Sequence, residues 1–213
     1  MLQGKKIIIT AGPTYERIDP VRFIGNYSTG KMGFALAQVC ADAGAEVVLV
    51  AGPVQQFMEH PRVTRIDVES AQQMYDVVMS QFPSCDGAIL CAAVADFTPI
   101  RVATQKLKRE TDNLVITLKP TQDIASAVGK MKTEQQFLVG FALETNDEEV
   151  HALNKLRRKN FDFIVLNSLN DAQACFGYDT NKITILKASG EKKIFELKSK
   201  LDVAKDIVNE LDK

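Results

Sequence analysis

The sequence predicts an α/β fold with a mostly parallel central sheet that lies between helices. Short runs rich in Ile and Val alternate with segments of helical periodicity along most of the chain. These runs lack polar alternation, which is typical of parallel strands buried on both faces. Near the C-terminus two strand-like runs flank a turn, which predicts a closing β-hairpin.

Size and composition limit the function classes. The chain has 213 residues, 46% of them hydrophobic, and a net charge of −1. We therefore expect a single domain over residues 1–213 and no general affinity for nucleic acid. No apolar run approaches membrane-spanning length, and residues 1–6 lack the core of a signal peptide. We expect a soluble, cytoplasmic protein without membrane contact.

Cysteine and histidine usage argues against several kinds of site. No CxxC pair occurs, and the two histidines lie far apart in the sequence. The sequence therefore predicts neither a disulfide framework nor a metal site built from protein ligands. Two histidines also offer few candidates for a Ser-His-Asp triad. The residues concerned are Cys40, Cys85, Cys91, Cys175, His60 and His151.

The chain opens with a predicted βαβ unit. Lys6–Thr10 is a β-branched run that leads into the turn Ala11–Thr14. The apolar helix Phe34–Cys40 ends at Gly44, and Glu46–Val50 returns as the second strand. This is a Rossmann-like opening, so we predict a Rossmann-like three-layer fold.

A glycine-punctuated loop, Gly25–Gly33, precedes the first helix. Backbone N–H groups at such a helix start suit a phosphate or an oxyanion, and Asn26 and Lys31 add polar side chains. The alternative is an ordinary helix start capped by Ser28 or Thr29. The sequence alone leaves these two interpretations about even.

The Rossmann-like opening raises the alternative of a pyridine-nucleotide reductase. That class needs a G-x-G-x-x-G turn, which is absent here, and Tyr15–Asn26 inserts a long polar segment before the helix. A non-catalytic nucleotide-binding protein is a third possibility.

The middle of the chain repeats the strand and helix pattern. We predict a strand at Val63–Val68, a helix at Ala71–Phe82 and a buried strand at Gly87–Cys91. Met74, Val77, Val78 and Phe82 form one face of that helix. Asp96 follows the buried strand, where open α/β sheets bind ligands, although position alone favours a turn or N-cap aspartate.

A basic segment without apolar periodicity follows. It carries Arg101, Lys106, Lys108 and Arg109, and it is either a solvated loop or a segment that closes over a polyanion. A strand is predicted at Leu114–Leu118. Thr121 or Asp123 is then expected to cap a short helix.

The last third completes the sheet. Predicted strands are Phe137–Ala142 and Asp162–Asn167, with a helix at Asp147–Lys159 between them. On that helix Lys155 and Lys159 share a face, either to bind an anion or to offset the helix dipole. The hairpin Lys182–Leu186 and Lys193–Leu197 turns at Ala188–Gly190, and the helix Ser199–Leu211 buries Leu201, Ala204, Val208 and Leu211.

Several separate segments together resemble the phosphopantothenoylcysteine synthetase family. The resemblance covers nearly the whole chain, in order and at compatible spacings. Its segments are Ile9–Thr14, Ile18–Arg22, Asn26–Gly33, Ala92–Asp96, Lys106–Arg109, Val139–Ala142 with Glu144-Thr145, and Phe176-Gly177 before Asp179.

The resemblance implies a ligase of coenzyme A biosynthesis. The family joins 4′-phosphopantothenate to L-cysteine through an acyl-nucleotide and releases pyrophosphate. Such an enzyme must hold a triphosphate with Mg²⁺ and stabilise the acyl oxygen, and it needs no nucleophilic residue. In many bacteria this domain follows a flavin-dependent decarboxylase, which we do not expect within these 213 residues.

The resemblance also assigns residues. By position, Asn26 hydrogen-bonds the acyl group, and Lys106 neutralises charge at the reacting phosphate. The nucleotide-binding positions are Ala92, Asp96, Lys106, Thr121, Gln122, Asp123, Ile124, Phe141, Lys155 and Lys159. The substrate and phosphate positions are Gly12, Thr14, Asn26, Ser28, Gly30 and Lys31.

One segment departs from the family pattern. Bacterial relatives usually read Asn-Pro-Asp-Ile where this chain has Thr121–Ile124, so the turn lacks the proline that would fix its φ. The segments Ala92–Asp96 and Lys106–Arg109 resemble those of bacterial members, which favours the CTP-dependent type over an ATP-dependent one. The family also implies a homodimer in which the subunits complete each other's sites.

Overall fold

The structure is a computed structural model that describes residues 2–109, 113–144, 146–168, 170–171, 173–174 and 176–211. Thr145 and Cys175, which figured in the sequence predictions, lie outside these described residues.

Helices and strands alternate along most of the chain. In order they are β1 (Lys6–Ala11), β2 (Tyr15–Arg17), β3 (Phe23–Gly25), α1 (Lys31–Asp42), β4 (Glu46–Ala51), β5 (Val63–Asp67), α2 (Ala71–Gln81), β6 (Gly87–Leu90), β7 (Phe97–Pro99), β8 (Leu118–Pro120), α3 (Ile124–Met131), β9 (Phe137–Glu144), α4 (Glu148–Arg158), β10 (Phe163–Ser168), β11 (Thr180–Asn181), β12 (Thr184–Lys187), β13 (Lys192–Ile194), β14 (Lys198–Ser199) and α5 (Lys200–Asn209). A short 3₁₀ turn, Phe82–Ser84, follows α2.

The described residues form a central sheet of eight strands in the order β13-β12-β10-β9-β6-β1-β4-β5. The six strands from β10 to β5 pair in parallel. Strands β12 and β13 pair antiparallel at one edge. The predicted α/β fold, with its mostly parallel sheet and C-terminal hairpin, is confirmed.

Helices cover both faces of the sheet, so the molecule has three layers. Alternate residues of β1 show the division: Ile7 and Ile9 pack with α1 and α5, whereas Ile8 packs with α2, α3 and α4. Strand β1 is buried on both faces, which explains why its sequence is the nearly continuous apolar run from which the strand was predicted.

The polar insertion between β1 and α1 forms a hairpin of its own. Strands β2 and β3 pair antiparallel, with Tyr15 opposite Gly25. The rings of Tyr15 and Phe23 stack at 3.7 Å between centroids. The buried Glu16 accepts a hydrogen bond from the Ala71 amide at 2.8 Å, which ties this hairpin to the start of α2.

Three local predictions were wrong. Residues 114–117 form no strand, and β8 begins only at Leu118, where it pairs with β7. Leu201 is 45% exposed, since Val203, Ala204, Ile207 and Val208 form the inward face of α5. Neither Ser28 nor Thr29 caps α1, because Gly30 in the left-handed conformation takes the N-cap position without a side-chain hydrogen bond. No described helix is long and apolar enough to cross a bilayer.

Candidate functional site

A cleft of about 640 Å³ opens at the carboxyl ends of β1, β6, β9 and β10. Strand β1 lies between β4 and β6, so the order of the sheet reverses here, and open α/β sheets bind ligands at such a point. The lining residues are Thr10, Asn26, Ser28–Gly33, Leu90–Val94, Asp96, Pro120–Ala125, Phe141–Leu143, Lys155, Lys159, Phe161, Asn167, Phe176, Asn181 and Lys200.

Backbone and side-chain hydrogen bonds hold the floor of the cleft. The Thr10 hydroxyl accepts from the Ala92 amide at 3.2 Å, and the Ala93 amide donates to the Gly12 carbonyl at 2.9 Å. The Asn26 side chain donates to the Ala93 carbonyl at 2.8 Å. An amide has two N–H hydrogens and an acceptor oxygen, so this bond orients Asn26 without using all its capacity.

Two glycines shape the loop that leads into α1. Gly12 and Gly30 have φ values of +79° and +77°, and a Cβ on either would come within 2.7 Å and 3.0 Å of Val54. The loop therefore requires glycine at both positions for conformation and for space. Beside it, Lys31 pairs with the exposed Asp179 at 2.5 Å, and this hydrogen bond lowers the pKa of Asp179.

Lys155 of α4 and Lys159, the C-cap residue of that helix, also line the cleft, and each is paired with a carboxylate. Lys155 contacts Glu144 at 2.6 Å, and Lys159 contacts Asp123 at 3.0 Å. Burial would raise the pKa of Asp123, but hydrogen bonds from Ser126 and Lys159 outweigh it and lower that pKa. A carboxylate therefore balances the charge of each of these two lysines.

Most of the predicted site residues meet in this one cleft. Of the predicted nucleotide positions, it collects Ala92, Asp96, Thr121, Gln122, Asp123, Ile124, Phe141, Lys155 and Lys159; of the substrate positions, it collects Asn26, Ser28, Gly30 and Lys31. Asp123 also caps α3 through the Ser126 amide, as one of the two alternatives predicted.

Gly12, Thr14 and Lys106 are not among the lining residues. Gly12 supports the loop from behind, and the fully buried Thr14 accepts a hydrogen bond from the Ala95 amide at 3.0 Å. Both positions therefore support the site rather than line it. Lys106 is exposed on the segment after β7, outside the cleft of its own chain.

Sequence reasoning missed two buried polar residues in the cleft. Lys200 is 7% exposed and donates to the Tyr178 carbonyl, and Asn181 is 1% exposed and donates to the Asn167 side chain at 3.2 Å. A signal existed for Lys200, because it precedes Val203, Ala204 and Ile207 at helical spacing on the buried face of α5. Nearby, burial raises the pKa of the Cys91 thiol to about 12.

The donor set of the cleft suits phosphate oxygens better than a protein-bound metal ion. Among the described residues, no three His, Cys, Asp or Glu side chains lie close enough to hold a metal. A divalent cation carried on a triphosphate needs no such cage, because Mg²⁺ commonly binds through substrate phosphates and water.

Comparison with known proteins decides the family. Residues 2–213 match the model of the DNA/pantothenate metabolism flavoprotein C-terminal domain. The chain belongs to this family. Curated relatives include the coenzyme A biosynthesis bifunctional protein CoaBC of Bacillus subtilis, 46% identical over 99% of this chain and 52% of that protein.

A second curated relative carries a different name. A cysteine/cysteine sulfinic acid decarboxylase of an unknown prokaryotic organism is 53% identical over 99% of this chain and 58% of its own length. The chain thus spans about half the length of the curated relatives it matches. Their names describe proteins about twice as long.

Solved structures agree with the family assignment. The C-terminal domain of a CoaBC protein superposes with a TM-score of 0.82 at 42% identity, over 98% of this chain and 94% of that one. A Streptococcus pneumoniae DNA/pantothenate metabolism flavoprotein has the same fold, with a TM-score of 0.83 at 23% identity over 98% and 99% of the two chains.

Proposed function

We propose that this chain is the phosphopantothenoylcysteine synthetase unit of coenzyme A biosynthesis. It joins 4′-phosphopantothenate to L-cysteine with CTP and releases CMP and pyrophosphate. The observation that carries the proposal is a single cleft in a member of this family. Asn26, the loop around Gly30, Lys155 and Lys159 all line it.

The first step activates a carboxylate that is otherwise a poor acylating group. A carboxylate oxygen of phosphopantothenate attacks the α-phosphorus of CTP, the bond to the β-phosphate oxygen breaks, and pyrophosphate leaves. Lys155 and Lys159 stabilise the triphosphate by exchanging their carboxylate partners for phosphate oxygens. Phe141, at the cleft wall, packs against the base.

The second step forms the amide. The cysteine amine attacks the acyl carbon, the bond from that carbon to the phosphate oxygen breaks, and CMP leaves with the electron pair while the amine gives up one proton to solvent. The Asn26 amide, held by the Ala93 carbonyl, donates to the acyl oxygen as charge develops there.

Mg²⁺ is proposed to enter with the nucleotide, on whose phosphate oxygens it would disperse charge. The lysines, the Gly30 loop and Asn26 then act on the organic and phosphate groups directly. The CTP preference rests on the bacterial appearance of Ala92–Asp96 and Lys106–Arg109 and is supported by the bacterial CoaBC relatives.

We propose a homodimer for two reasons. Lys106 lies outside the cleft of its own chain, and exposed apolar side chains occur on both sides of it in the sequence. Strand β2 of the β2–β3 hairpin packs against β7, which pairs with β8. Exposed apolar side chains lie in or beside these strands. They are Val21, Phe23, Phe97, Ile100, Val102, Leu114, Val115 and Leu118, with Val115 83% exposed. A second copy seated on this surface would cover it and would bring Lys106 to the partner's cleft.

Other partners follow from the relatives. The proposed protein works beside a phosphopantothenoylcysteine decarboxylase, either in the same polypeptide or as a separate chain, because the CoaBC relatives are bifunctional. The proposed location is the cytoplasm, where nucleoside triphosphate is available.

Pyrophosphate release tests the proposal. The protein is mixed with phosphopantothenate, cysteine, Mg²⁺ and either CTP or ATP. We expect sustained release to require phosphopantothenate, cysteine and nucleotide, because without cysteine the reaction stops after the first step, and we expect it to be faster with CTP. Release without amide formation would contradict a synthetase, and no release with either nucleotide would favour the non-catalytic alternative. Oxidation of a pyridine nucleotide would favour the reductase.

A further inference from the structure

Asp19 joins two segments that carry the two proposed catalytic side chains. It lies in the turn between β2 and β3, one residue after Ile18, and is 1% exposed. Strand β3 ends at Gly25, directly before Asn26. The other segment is 103–109, which carries Lys106.

The Asp19 carboxylate first closes its own turn. Oδ1 accepts hydrogen bonds from the backbone amides of Val21 at 2.8 Å and Arg22 at 2.9 Å. Oδ2 accepts from the Arg22 guanidinium through Nε at 3.0 Å and through Nη2. These bonds, with that of the Arg22 side chain foremost, hold the pKa of Asp19 well below its usual range.

The same carboxylate reaches across 88 residues of sequence to the Lys106 segment. Oδ2 accepts from the Leu107 amide at 3.1 Å, and Arg22 donates to the Leu107 carbonyl at 2.8 Å. The Ala103 amide donates to the Ile18 carbonyl at 3.0 Å. Both polar backbone groups of Leu107, the neighbour of Lys106, are therefore held by the Asp19–Arg22 pair.

We propose that Asp19 is a positioning residue that fixes segment 103–109, and with it Lys106, relative to the β2–β3 hairpin that leads into Asn26. This inference rests on the proposed function, since it gives Asp19 its effect through Lys106. A lysine on an exposed segment samples many conformations, and anchoring the adjacent backbone at both its N–H and C=O restricts them. Asp19 itself does not touch substrate.

The assignment needs a carboxylate and not merely a polar side chain. Asn at position 19 keeps one acceptor oxygen, but it replaces the other with an NH₂ donor that faces the Leu107 N–H and the Arg22 guanidinium. Two donors would then oppose each other in a buried site, and the Leu107 tether would be lost.

Glu16 supplies a matched control. It is a buried carboxylate of the same β2–β3 hairpin, 4% exposed, but it binds the Ala71 amide of α2. Glu16→Gln therefore perturbs the hairpin at a comparable buried site without touching the Lys106 segment.

The test is a double-mutant cycle with Asp19→Asn, Lys106→Gln and both together, followed by pyrophosphate release. We expect Asp19→Asn to lower kcat about 10- to 100-fold, since misplacement by about 1 Å can cost that much. We expect the double variant to be no slower than Lys106→Gln alone. In the control cycle with Glu16→Gln and Lys106→Gln, the fold-loss in kcat of the double variant should equal the product of the two single fold-losses.

Amide hydrogen exchange gives a readout that does not depend on activity. Asp19→Asn should speed exchange at Leu107 and leave Ala71 unchanged, whereas Glu16→Gln, which keeps an acceptor oxygen for the Ala71 amide, should leave Leu107 unchanged. If Asp19→Asn does not fold, Asp19→Glu keeps the charge near Arg22 but displaces the carboxylate by one methylene, and the same comparisons apply.

The outcomes separate the two hypotheses. Multiplying losses in the cycle, or unchanged exchange at Leu107 in an active enzyme, would overturn the positioning role and leave the proposed ligase intact. A wild-type protein without pyrophosphate release would overturn the ligase and, with it, the catalytic consequence of the tether.

Discussion

At the scale of single residues, the cleft combines one neutral amide with several cations that already have carboxylate partners. Asn26 is oriented by the Ala93 carbonyl, whereas Lys155 and Lys159 are paired with Glu144 and Asp123. A neutral donor can stabilise developing charge at every pH, whereas the cations respond to the charge of the ligand. In the proposed reaction, Asn26 therefore serves the acyl group and the lysines serve the phosphates.

Asn26→Asp should reduce turnover by about 100-fold or more, because it exchanges a donor for a negative charge beside phosphates. Folding should be preserved, since the side chain is exposed. Pyrophosphate release and thermal unfolding measure the two effects. Asn209→Asp, an exposed position at the end of α5, controls for the added charge, and near-normal turnover of Asn26→Asp would refute the assigned role.

Lys106→Gln should impair catalysis and leave the thermal transition nearly unchanged, since this lysine is exposed. We expect kcat to fall about 100- to 1,000-fold, as for the removal of a single group that stabilises developing charge. Lys130→Gln, on α3 and outside the cleft lining, is the matched charge control. A large loss of folded stability would instead identify Lys106 as a structural lysine.

At the scale of elements, the start of α3 serves the fold and the cleft together. Asp123 caps this helix through the Ser126 amide at 3.0 Å and holds Lys159. Helix α2 has a comparable cap, in which Ser70 and Gln73 form a capping box away from the cleft lining. The two caps allow stability and nucleotide binding to be separated.

Asp123→Ala and Ser70→Ala should each lower the free energy of unfolding by about 1 kcal/mol, because each removes an N-cap acceptor. Only Asp123→Ala should also change KM for the nucleotide, since only Asp123 lines the cleft. Urea denaturation and steady-state kinetics measure the two effects. An equal change of KM in both variants would show that helix stability alone controls nucleotide binding.

At the scale of the whole molecule, the antiparallel edge of the sheet is joined to the last helix by an ion cluster. Glu210, which follows α5, accepts from Lys187 of β12 at 2.6 Å and from Lys193 of β13 at 2.8 Å. Burial would raise the pKa of Glu210, but these lysines outweigh it and lower the pKa to about 2.

This cluster predicts a pH dependence of stability. The pKa of Glu210 is lower in the folded chain than its usual value of about 4.3, so its contribution is complete above that value and is lost as the pH falls toward 2. The difference in urea midpoint between the wild type and Glu210→Gln should therefore shrink from pH 6 to pH 3. A constant difference would indicate that packing, not charge, is lost.

The proposed dimer predicts complementation between inactive variants. If Lys106 serves the partner's cleft, mixing unfolded Asn26→Asp and Lys106→Gln chains and refolding them restores one intact site in each mixed dimer. Since about half of random dimers are mixed, we expect about a quarter of wild-type activity. Light scattering checks the oligomer. Absence of any recovery from a dimeric mixture would place Lys106 at the cleft of its own chain.

The local pattern of the sequence was sufficient for most of the fold. The buried runs of β1, β4, β6, β9 and β10 are apolar throughout because both faces of a parallel sheet are covered, and this pattern is visible without coordinates. The pattern failed at residues 114–117, whose β-branched side chains suggested a strand, whereas β8 and its pairing with β7 begin at Leu118.

The cleft was predictable as far as strand ends and helix spacing determine it. Asp96 follows a buried strand, and Lys155 and Lys159 are four residues apart, so both observations direct side chains to one edge or one face. Lys200 and Asn181 were missed because their burial depends on segments distant in sequence.

By itself, the sequence determined the layer architecture, the family and a set of residues that mostly meet in one cleft, because these follow from local periodicity and from motifs that are contiguous in the chain. Only the tertiary structure decided that each α4 lysine already has a carboxylate partner, that Thr14 is buried, and that Lys106 lies outside its own cleft on a backbone held by Asp19. These properties arise from contacts between residues far apart in sequence, whose distances no local pattern encodes.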